Sequence, residues 1–301
     1  MSLYYFLKDI VKLKFNYNLG KKTWFGTGGK SSIFLVINNI ESLCFFLKII
    51  PKSIPIFLIG AGSNIIIRDG GIDGITIKLG KNFKKIIFYK EKNILKVGGG
   101  VKDLDIATFC HKNSIGGFEY LRGIPGTLGG NIRMNAGCFG NFISDRLINC
   151  ELINRTGKII KLKKKEINFN YRSSSIKNQD IVLNAEFSVK LTKQKKIAKK
   201  LKDVSNTRML SQPVNSRTGG STFKNPGDLS AWKLIEKANF RGKKLGGANV
   251  SSKHTNFLIN NGNASSLDLE ILGEEIRSSV KKKFNINLDW ELIRIGNFKK
   301  I

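Results

Sequence analysis

The sequence predicts an α+β protein with about two domains. The chain has 301 residues, of which 41% are hydrophobic and 10% aromatic, enough to build a sizeable core. Short β-branched runs separated by Gly, Asn, Asp and Lys indicate strands, and a few longer segments have helical spacing. A Lys-rich helix predicted near residues 192–209 leads into a second region with its own character.

The first third of the chain is predicted to alternate strands and helices. We interpret residues 1–15 as a helix of the mature protein, because no basic segment precedes this aromatic stretch and no small-residue cleavage site follows it. A strand over 32–37, a helix over 40–50 ended by Pro51, and a strand over 55–59 form a βαβ-like start. The next segments predict a meandering sheet and one helix, with strands at 65–67, 74–79, 86–89 and 94–97 and the helix at 101–113.

The rest of the chain mixes both element types around glycine-rich turns. Strands are predicted at 150–154, 158–162 and 181–191, and helices at 192–209, 229–238 and 266–284. A final strand is predicted at 290–295.

The chain is strongly basic, with 52 Lys and Arg against 22 Asp and Glu and a formal net charge of +30. A nucleic-acid partner is one interpretation. However, the lysine runs at 158–165, 190–202 and 281–283 lack the interleaved aromatic residues of single-strand binding surfaces. We attribute most of the excess to solvated surfaces, and we expect no nucleic-acid partner.

Other broad classes are excluded by composition. No apolar run approaches the roughly 18 residues needed to span a bilayer, so we expect no membrane insertion. The four cysteines contain no CxxC pair, and two isolated histidines do not suggest a metal site. We therefore expect a cytoplasmic protein without a metal.

A first glycine loop, Gly60 to Asn64, follows an apolar strand. Its small residues expose backbone N–H groups that can bind a phosphate. The loop lacks the third glycine of a Rossmann fingerprint, and Ile65 to Ile67 stand where the Rossmann helix would begin. A flavin-type pyrophosphate loop outside the Rossmann class fits better, although a tight turn without a ligand is equally compatible with the residues.

A second loop, Gly123 to Asn131, favours ligand binding. Ordered glycines lose backbone entropy, so two such loops are hard to justify as turns alone. Arg133 follows at once and is either a ligand contact or an ordinary surface cation.

Six ordered motifs resemble the UDP-N-acetylenolpyruvoylglucosamine reductase family, also called UDP-N-acetylmuramate dehydrogenase. These motifs are Gly60–Asn64, Gly123–Gly137, Tyr171–Arg172, Gly220–Pro226, Ser252–Phe257 and Glu291–Gly296. The short run from Arg208 to Gly219 is similar to the type II branch, because it leaves no room for the longer branch's tyrosine-bearing insertion.

The resemblance implies a particular domain organisation. Residues 1–195 would form an FAD-binding domain of the vanillyl-alcohol-oxidase (PCMH) type, with subdomains of about 1–80 and 81–195. Residues 196–301 would form a smaller α+β substrate-binding domain, whose last strand carries Glu291. The implied FAD-binding residues are Gly60, Ala61, Gly62, Ser63, Asn64, Gly123, Ile124, Pro125, Gly126, Thr127, Gly129, Gly130, Asn131, Ala136 and Gly137.

The resemblance also implies a reaction. NADPH would reduce non-covalently bound FAD, and the enolpyruvyl ether of UDP-N-acetylglucosamine would then be reduced to UDP-N-acetylmuramate for peptidoglycan synthesis. Arg172 would stabilise the developing enolate as a charged fork. Ser221 would donate the proton, and Glu291 would polarise the enolpyruvyl carboxylate beside Arg172.

Some expectations remain open at this stage. Lys224 is expected at the substrate diphosphate and Asn225 at the sugar or enolpyruvate, while His254 and Asn256 match a family motif without an assigned role. The chain departs from the family at Asn131, where alanine is usual, and at Cys138. The main rival is another FAD oxidoreductase of the same fold. We expect a monomer.

Overall fold

The computed structural model describes residues 10–299. Its helices are α1 (Ile40–Ile49), α2 (Asp103–Lys112), α3 (Leu128–Met134), α4 (Gln194–Ser211), α5 (Ala231–Lys237) and α6 (Ser266–Phe284). Its strands are β1 (Ile10–Tyr17), β2 (Ser31–Ile37), β3 (Ile56–Leu58), β4 (Ile65–Ile67), β5 (Ile72–Leu79), β6 (Ile86–Tyr89), β7 (Ile94–Gly98), β8 (Ile115–Gly116), β9 (Gly137–Cys138), β10 (Asn141–Phe142), β11 (Leu147–Ile153), β12 (Ile159–Lys163), β13 (Phe169–Asn170), β14 (Ser173–Ser174), β15 (Ile181–Ser188), β16 (Lys190–Leu191), β17 (Lys244–Leu245), β18 (Ala248–Val250), β19 (Leu258–Asn260) and β20 (Ile293–Ile295).

The chain divides into two compact units. Unit 1 comprises residues 10–14, Phe34–Ala61 and Gly74–Thr207, and unit 2 comprises Phe15–Ile33, Gly62–Asp73 and residues 208–299. These units differ in extent from the predicted domains, because two N-terminal segments cluster with the C-terminal third. The assignment of cofactor and substrate to domains 1–195 and 196–301 stays a prediction.

Unit 1 is organised around an antiparallel five-stranded sheet in the order β12-β11-β15-β7-β6. Cys150 of β11 lies opposite Ala185 of β15, and both are fully buried. Phe187 of β15 meets Phe118 edge to face, with ring centroids 5.7 Å apart. Helices α2 and α3 contribute Ile106 and other buried residues to the same core, which places their N-termini beside the glycine-rich segment.

A second sheet has the order β1-β2-β5-β3. Its β3–β5 pair lies in unit 1 and is parallel, with Ile56 opposite Ile75. Helix α1 precedes β3, and its N-terminus is capped by the Asn39 side chain, which accepts a hydrogen bond from Ser42 N at 2.8 Å. Strand β3 therefore leads directly into the first glycine loop.

Unit 2 packs helix α6 against the three-stranded sheet β17-β18-β19. Its core includes Phe25 and Ile66 from the two N-terminal segments, together with Leu272 and Ile276 of α6. Strand β20 pairs in parallel with β4, with Ile293 opposite Ile65. These contacts draw three distant stretches of sequence into one core.

Most predicted elements are present, and helix α6 has the predicted bounds. Strand β4 at residues 65–67 agrees with the rejection of a Rossmann helix at that point. No helix among residues 10–299 is long and apolar enough to span a membrane.

Three predictions need correction. The first is the helix predicted over residues 1–15, of which residues 1–9 lie outside the described part of the chain. Residues 10–17 form strand β1 instead, because Val11, Leu13 and Phe15 alternate with polar residues in the sequence. The final strand spans 293–295 rather than 290–295, so Glu291 precedes it. The second glycine loop ends at residue 127, where α3 begins.

Candidate active site

The first glycine loop offers a row of free backbone donors. Within residues 10–299, the N–H groups of Gly60, Ala61, Gly62 and Ser63 have no hydrogen-bond acceptor. Gly62 has φ +68°, a left-handed conformation that glycine adopts without strain. A Cβ built on Gly60 would lie 2.5 Å from Thr127 Oγ1, so the backbone approaches the second loop more closely than a side chain would allow.

The second loop adds donors from a different part of the chain. Leu128 N donates to Val101 O and Gly129 N to Gly99 O, both at 2.9 Å, and these bonds fix the start of α3. In the described part of the chain, the N–H groups of Thr127 and Gly130 have no acceptor, whereas the Gly126 backbone hydrogen-bonds the buried Asp103 carboxyl. Within unit 1, Gly60 and Ala61 of the first loop and Thr127 and Gly130 of the second loop therefore present unpaired N–H donors, which suit the oxygens of a diphosphate group such as that of FAD.

Several predicted cofactor residues already serve the protein itself. Gly129 N is used by Gly99, Ala136 N donates to Asn131 O at 2.9 Å, and Gly137 pairs with Phe142 across β9–β10. The Asn131 side chain is buried and donates from Nδ2 to Asp103 Oδ1 at 2.5 Å. The structure thus leaves Gly60–Ser63, Thr127 and Gly130 as the stronger donor candidates.

Arg172 lies in a tight hairpin between β13 and β14. It has φ +54°, which is uncommon for a residue with a side chain, and its guanidinium lies 4.9 Å from the Tyr171 ring centroid. The hairpin is attached to the end of α3, because Asn135 Nδ2 donates to Asn170 O at 3.1 Å and Ser174 Oγ donates to Arg133 O at 2.8 Å. Tertiary contacts therefore hold Arg172 in an unusual backbone conformation, and such strain is common at functional positions.

Arg133 has a structural role. Its guanidinium donates to the backbone carbonyls of Asn178 and Asp180. Burial lowers the pKa of this side chain, and the charge of Asp180 opposes that shift. Arg133 is therefore neither the free surface cation nor the free ligand contact that the sequence suggested, because its guanidinium binds two backbone carbonyls.

In unit 2, Ser221 and Glu291 are brought together by backbone pairing. Glu291 N donates to Thr222 O at 2.9 Å, and Lys224 N donates to Asp289 O at 2.8 Å. Phe223 and Trp290 form an antiparallel bridge between these bonds. Ser221 and Glu291, 70 positions apart in sequence, therefore lie on adjoining backbone segments. In the described part of the chain, Ser221 Oγ has no hydrogen-bond partner.

Asn64, predicted in the cofactor loop, reaches the same place. Its Nδ2 donates to Glu291 O at 3.0 Å, and its carbonyl accepts Ile293 N at 3.0 Å. The first glycine loop is thereby fixed to the backbone that carries Glu291. Both Ser221 and Glu291 are half-buried, where side chains can still reach a ligand.

The motif around His254 supports this pairing. Asn256 Nδ2 donates to Phe223 O at 2.8 Å and Asn256 Oδ1 accepts Phe223 N at 3.0 Å, so one amide holds both backbone groups of Phe223. His254 Nδ1 accepts Asn256 N at 3.3 Å, and burial lowers the pKa of this histidine. Asn225, predicted to bind substrate, uses Oδ1 to accept Ala231 N at 3.0 Å at the start of α5.

Sequence reasoning did not identify Asp103. This carboxyl is completely buried at the start of α2, and Oδ2 has no hydrogen-bond partner in residues 10–299. Burial raises its pKa to about 8, and the hydrogen bonds from Asn131 and Gly126 oppose this shift only in part. An aspartate in a first helical turn looks like an ordinary response to the helix dipole, so its sequence position gives no signal of burial.

The class of protein follows from comparison with known domains. Residues 32–163 match the family model described as an FAD binding domain, in agreement with the two donor loops. The chain is a flavin-dependent oxidoreductase. Residues 212–295, which contain Ser221 and Glu291, match the model described as UDP-N-acetylenolpyruvoylglucosamine reductase, C-terminal domain.

Whole-chain relatives give the family. A UDP-N-acetylenolpyruvoylglucosamine reductase of Rickettsia canadensis (strain McKiel) is 45% identical over 95% of this chain and 96% of its own length, and one of Rickettsia prowazekii (strain Madrid E) is 44% identical over the same shares. The crystal structure of the reductase from Thermus caldophilus superposes with a TM-score of 0.81 at 26% identity, covering 94% of this chain and 98% of that one. The chain belongs to the UDP-N-acetylenolpyruvoylglucosamine reductase family.

The predicted fold class is confirmed by these matches. The chain is an α+β protein with an FAD-binding domain and a smaller C-terminal domain. The family resemblance carried by the six sequence motifs is confirmed as well.

Proposed function

We propose that this chain reduces the enolpyruvyl ether of UDP-N-acetylglucosamine to UDP-N-acetylmuramate, with NADPH as reductant and non-covalent FAD as carrier. The observation that carries the proposal is the pairing of Thr222 with Glu291, which joins Ser221, Glu291 and Asn64 in one segment of unit 2. The names of relatives that match the chain over 95% of its length support the substrate. Peptidoglycan precursor synthesis is the process that this product serves.

The donor loops fit the proposed cofactor. Gly60–Ser63, Thr127 and Gly130 would hold the diphosphate through backbone N–H groups, and no side-chain charge is required for that contact. The chain contains only His111 and His254, and neither precedes the first loop, so we propose non-covalent binding. Bound FAD supplies the hydride transfer that protein side chains cannot provide.

Arg172 would act on the charge that develops in the substrate. Hydride added to the terminal carbon of the enol ether forms a C–H bond and moves the double-bond electrons toward the adjacent carbon and its carboxylate. A guanidinium presents parallel donors to a carboxylate and stays charged at every physiological pH. The fixed hairpin would hold Arg172 in place before the charge forms, as electrostatic stabilisation requires.

Ser221 would complete the reaction by protonation. Its Oγ–H bond breaks, the proton joins the carbon adjacent to the carboxylate, and the resulting alkoxide regains a proton from solvent. The hydroxyl is half-buried and has no hydrogen-bond partner in the described residues, so its proton is not committed to the protein. Glu291 would polarise the substrate carboxylate from the adjoining segment.

Two further residues would bind the sugar nucleotide. Lys224 follows Ser221 by three residues, and its backbone N–H belongs to the same pairing through Asp289. Its ammonium is proposed to bind the diphosphate, and the Asn225 amide the sugar or enolpyruvate. We also propose a cytoplasmic monomer, which size-exclusion chromatography with light scattering would test.

Half-reaction kinetics test the proposal. The purified protein should be yellow, should release flavin on denaturation, and should oxidise NADPH faster when the enolpyruvyl sugar nucleotide is present. Ser221→Ala should leave flavin reduction by NADPH within about twofold of wild type, while the oxidative half-reaction slows by a factor on the order of 10³, as expected when a proton donor is lost. Stopped-flow absorbance of the flavin separates the two rates.

A matched control is available in the same unit. Ser230 is half-buried and its side chain makes no capping hydrogen bond, so Ser230→Ala should leave both half-reactions unchanged. Equal losses in both half-reactions of Ser221→Ala would contradict the proton-donor role. Protein that cannot be reconstituted with FAD would contradict the whole function, and rapid turnover of an unrelated substrate would favour another FAD oxidoreductase.

A further inference from the structure

Asp103 and Asn131 form a buried pair beneath the second glycine loop. Asp103 is the first residue of α2, and Asn131 is the fourth residue of α3. The two residues are 0% and 4% exposed, and Asn131 Nδ2 donates to Asp103 Oδ1 at 2.5 Å. Because the two helices begin on either side of the loop, this bond fixes the distance between their first turns.

The loop backbone rests directly on the pair. Asp103 N donates to Gly126 O at 3.3 Å. A Cβ built on Gly126 would lie 2.6 Å from Asp103 Oδ2 and 2.9 Å from Asn131 Oδ1. Any residue other than glycine at this position would therefore displace the pair. The Gly126 backbone also hydrogen-bonds the Asp103 carboxyl, and the next N–H group, that of Thr127, is unpaired within the described residues. Any movement of the pair would therefore move the Thr127 donor.

The charge of Asp103 matters because a negative charge there would repel the anionic diphosphate proposed to bind the neighbouring N–H groups. Burial raises its pKa to about 8, so the carboxyl is mostly uncharged at neutral pH. Asp105 on the same helix adds to the shift, and Tyr120, whose own pKa burial and Asp103 raise, faces it from the 119–123 turn. An ionised carboxylate here would place a negative charge under the atoms proposed to hold a diphosphate.

We propose that Asp103 and Asn131 are positioning residues for the cofactor, an acid–amide pair that holds the Gly126 backbone and thereby fixes the Thr127 donor for the diphosphate. This inference rests on the proposed function, because it requires FAD at the second loop.

The affinity of the apoprotein for FAD tests the pair without measuring turnover. Flavin is removed, and the dissociation constant is measured by quenching of flavin fluorescence from about pH 6 to about pH 9.5, on both sides of the expected titration. Wild type should lose affinity by about tenfold or more across this range, because a like charge appears beside the diphosphate. Asp103→Asn keeps the shape without the charge and should show little pH dependence.

Asn131→Ala gives a second test, in which the direction of the shift in the pH midpoint is predicted. Without the amide donor the pKa of Asp103 rises further, so the midpoint of the affinity loss should move to higher pH, while affinity at about pH 6 falls by roughly tenfold as the donors lose their support. Asp105→Asn, on the exposed face of the same helix, is the matched control: it removes a smaller charge that raises the Asp103 pKa, so the midpoint should move slightly to lower pH while affinity at about pH 6 stays that of wild type.

The results separate this inference from the proposed function. If wild type binds no FAD at any pH, the proposed function fails. If wild type binds FAD with a flat profile, or if Asp103→Asn retains the wild-type loss, the positioning pair is refuted while the function stands. Should Asp103→Asn not fold, as judged by circular dichroism, the midpoint of Asn131→Ala decides: an unshifted midpoint refutes the pair.

Discussion

The close approach of the two glycine loops can be tested by adding one methyl group. A Cβ on Gly60 would lie 2.5 Å from Thr127 Oγ1, about 0.9 Å inside ordinary van der Waals contact at 3.4 Å. The backbone of Gly60 does not have a positive φ, so alanine adds no strain of its own there. Overpacking of this kind costs about 1–3 kcal/mol, and we expect the lower half of that range because a hydroxyl can rotate.

The expected result is a loss of cofactor affinity that depends on Thr127. The added methyl group clashes when the two loops lie close together, as they do in the conformation proposed to bind FAD. Gly60→Ala should therefore raise the FAD dissociation constant by about 5- to 30-fold, since about 1.4 kcal/mol corresponds to a factor of ten. In Thr127→Ala the clashing oxygen is gone and the remaining Thr127 Cβ contact, at 3.6 Å, is ordinary. There the same substitution should cost less than about threefold.

A double-mutant cycle with isothermal titration of FAD measures this coupling directly. Wild type, the two single variants and the double variant give the interaction energy between the loops, expected at about 1 kcal/mol. An equal penalty for Gly60→Ala in both backgrounds would refute the reasoning, because the added methyl would then act elsewhere than on Thr127.

Two further predictions concern stability. A Cβ on Gly273 of α6 would lie 2.1 Å from Trp290 Cη2, so Gly273→Ala should lower the free energy of unfolding by about 2–3 kcal/mol in urea titrations, and Trp290→Leu should relieve most of that loss. Between pH 4 and pH 8 the native state holds a proton on Asp103 that the unfolded state releases, so stability should fall as pH rises through this window, by up to about 6 kcal/mol. Asp103→Asn should abolish that slope; an unchanged slope would mean that other groups produce it.

Local patterns were enough to predict much of the fold. Helix α6 has its predicted bounds because Ser265 caps it, with Asp268 completing a capping box, and its apolar residues recur at helical spacing. The predicted helix is wrong at β1, because apolar and aromatic residues there alternate with lysine and asparagine at the two-residue period of a strand. The start of α3 could not be placed, since glycines at 129 and 130 weaken any helix signal and the bonds to Gly99 and Val101 come from elsewhere in the chain.

The candidate site was predictable only where it is carried by motifs. Ser221, Glu291 and Asn64 were selected by their sequence context, and the structure shows the backbone pairing that relates them. Asp103 was not, because its burial depends on Gly126 and Asn131, more than 20 positions later. The motif residues Asn256 and Asn225 both hydrogen-bond backbone groups. Sequence alone does not distinguish an amide that supports the backbone in this way from one that binds a ligand.

The three-part composition of unit 2 has a consequence for how the chain folds during synthesis. Phe25 and Ile66 leave the ribosome early, yet the residues that bury them, such as Leu272 and Leu292, are translated last. The parallel pairing of β4 with β20 closes a loop of more than 220 residues, a contact that forms slowly because of its sequence separation. These apolar segments therefore stay exposed during most of translation, when chaperones can bind them. For the same reason, a fragment limited to residues 212–295 would lack part of its own hydrophobic core.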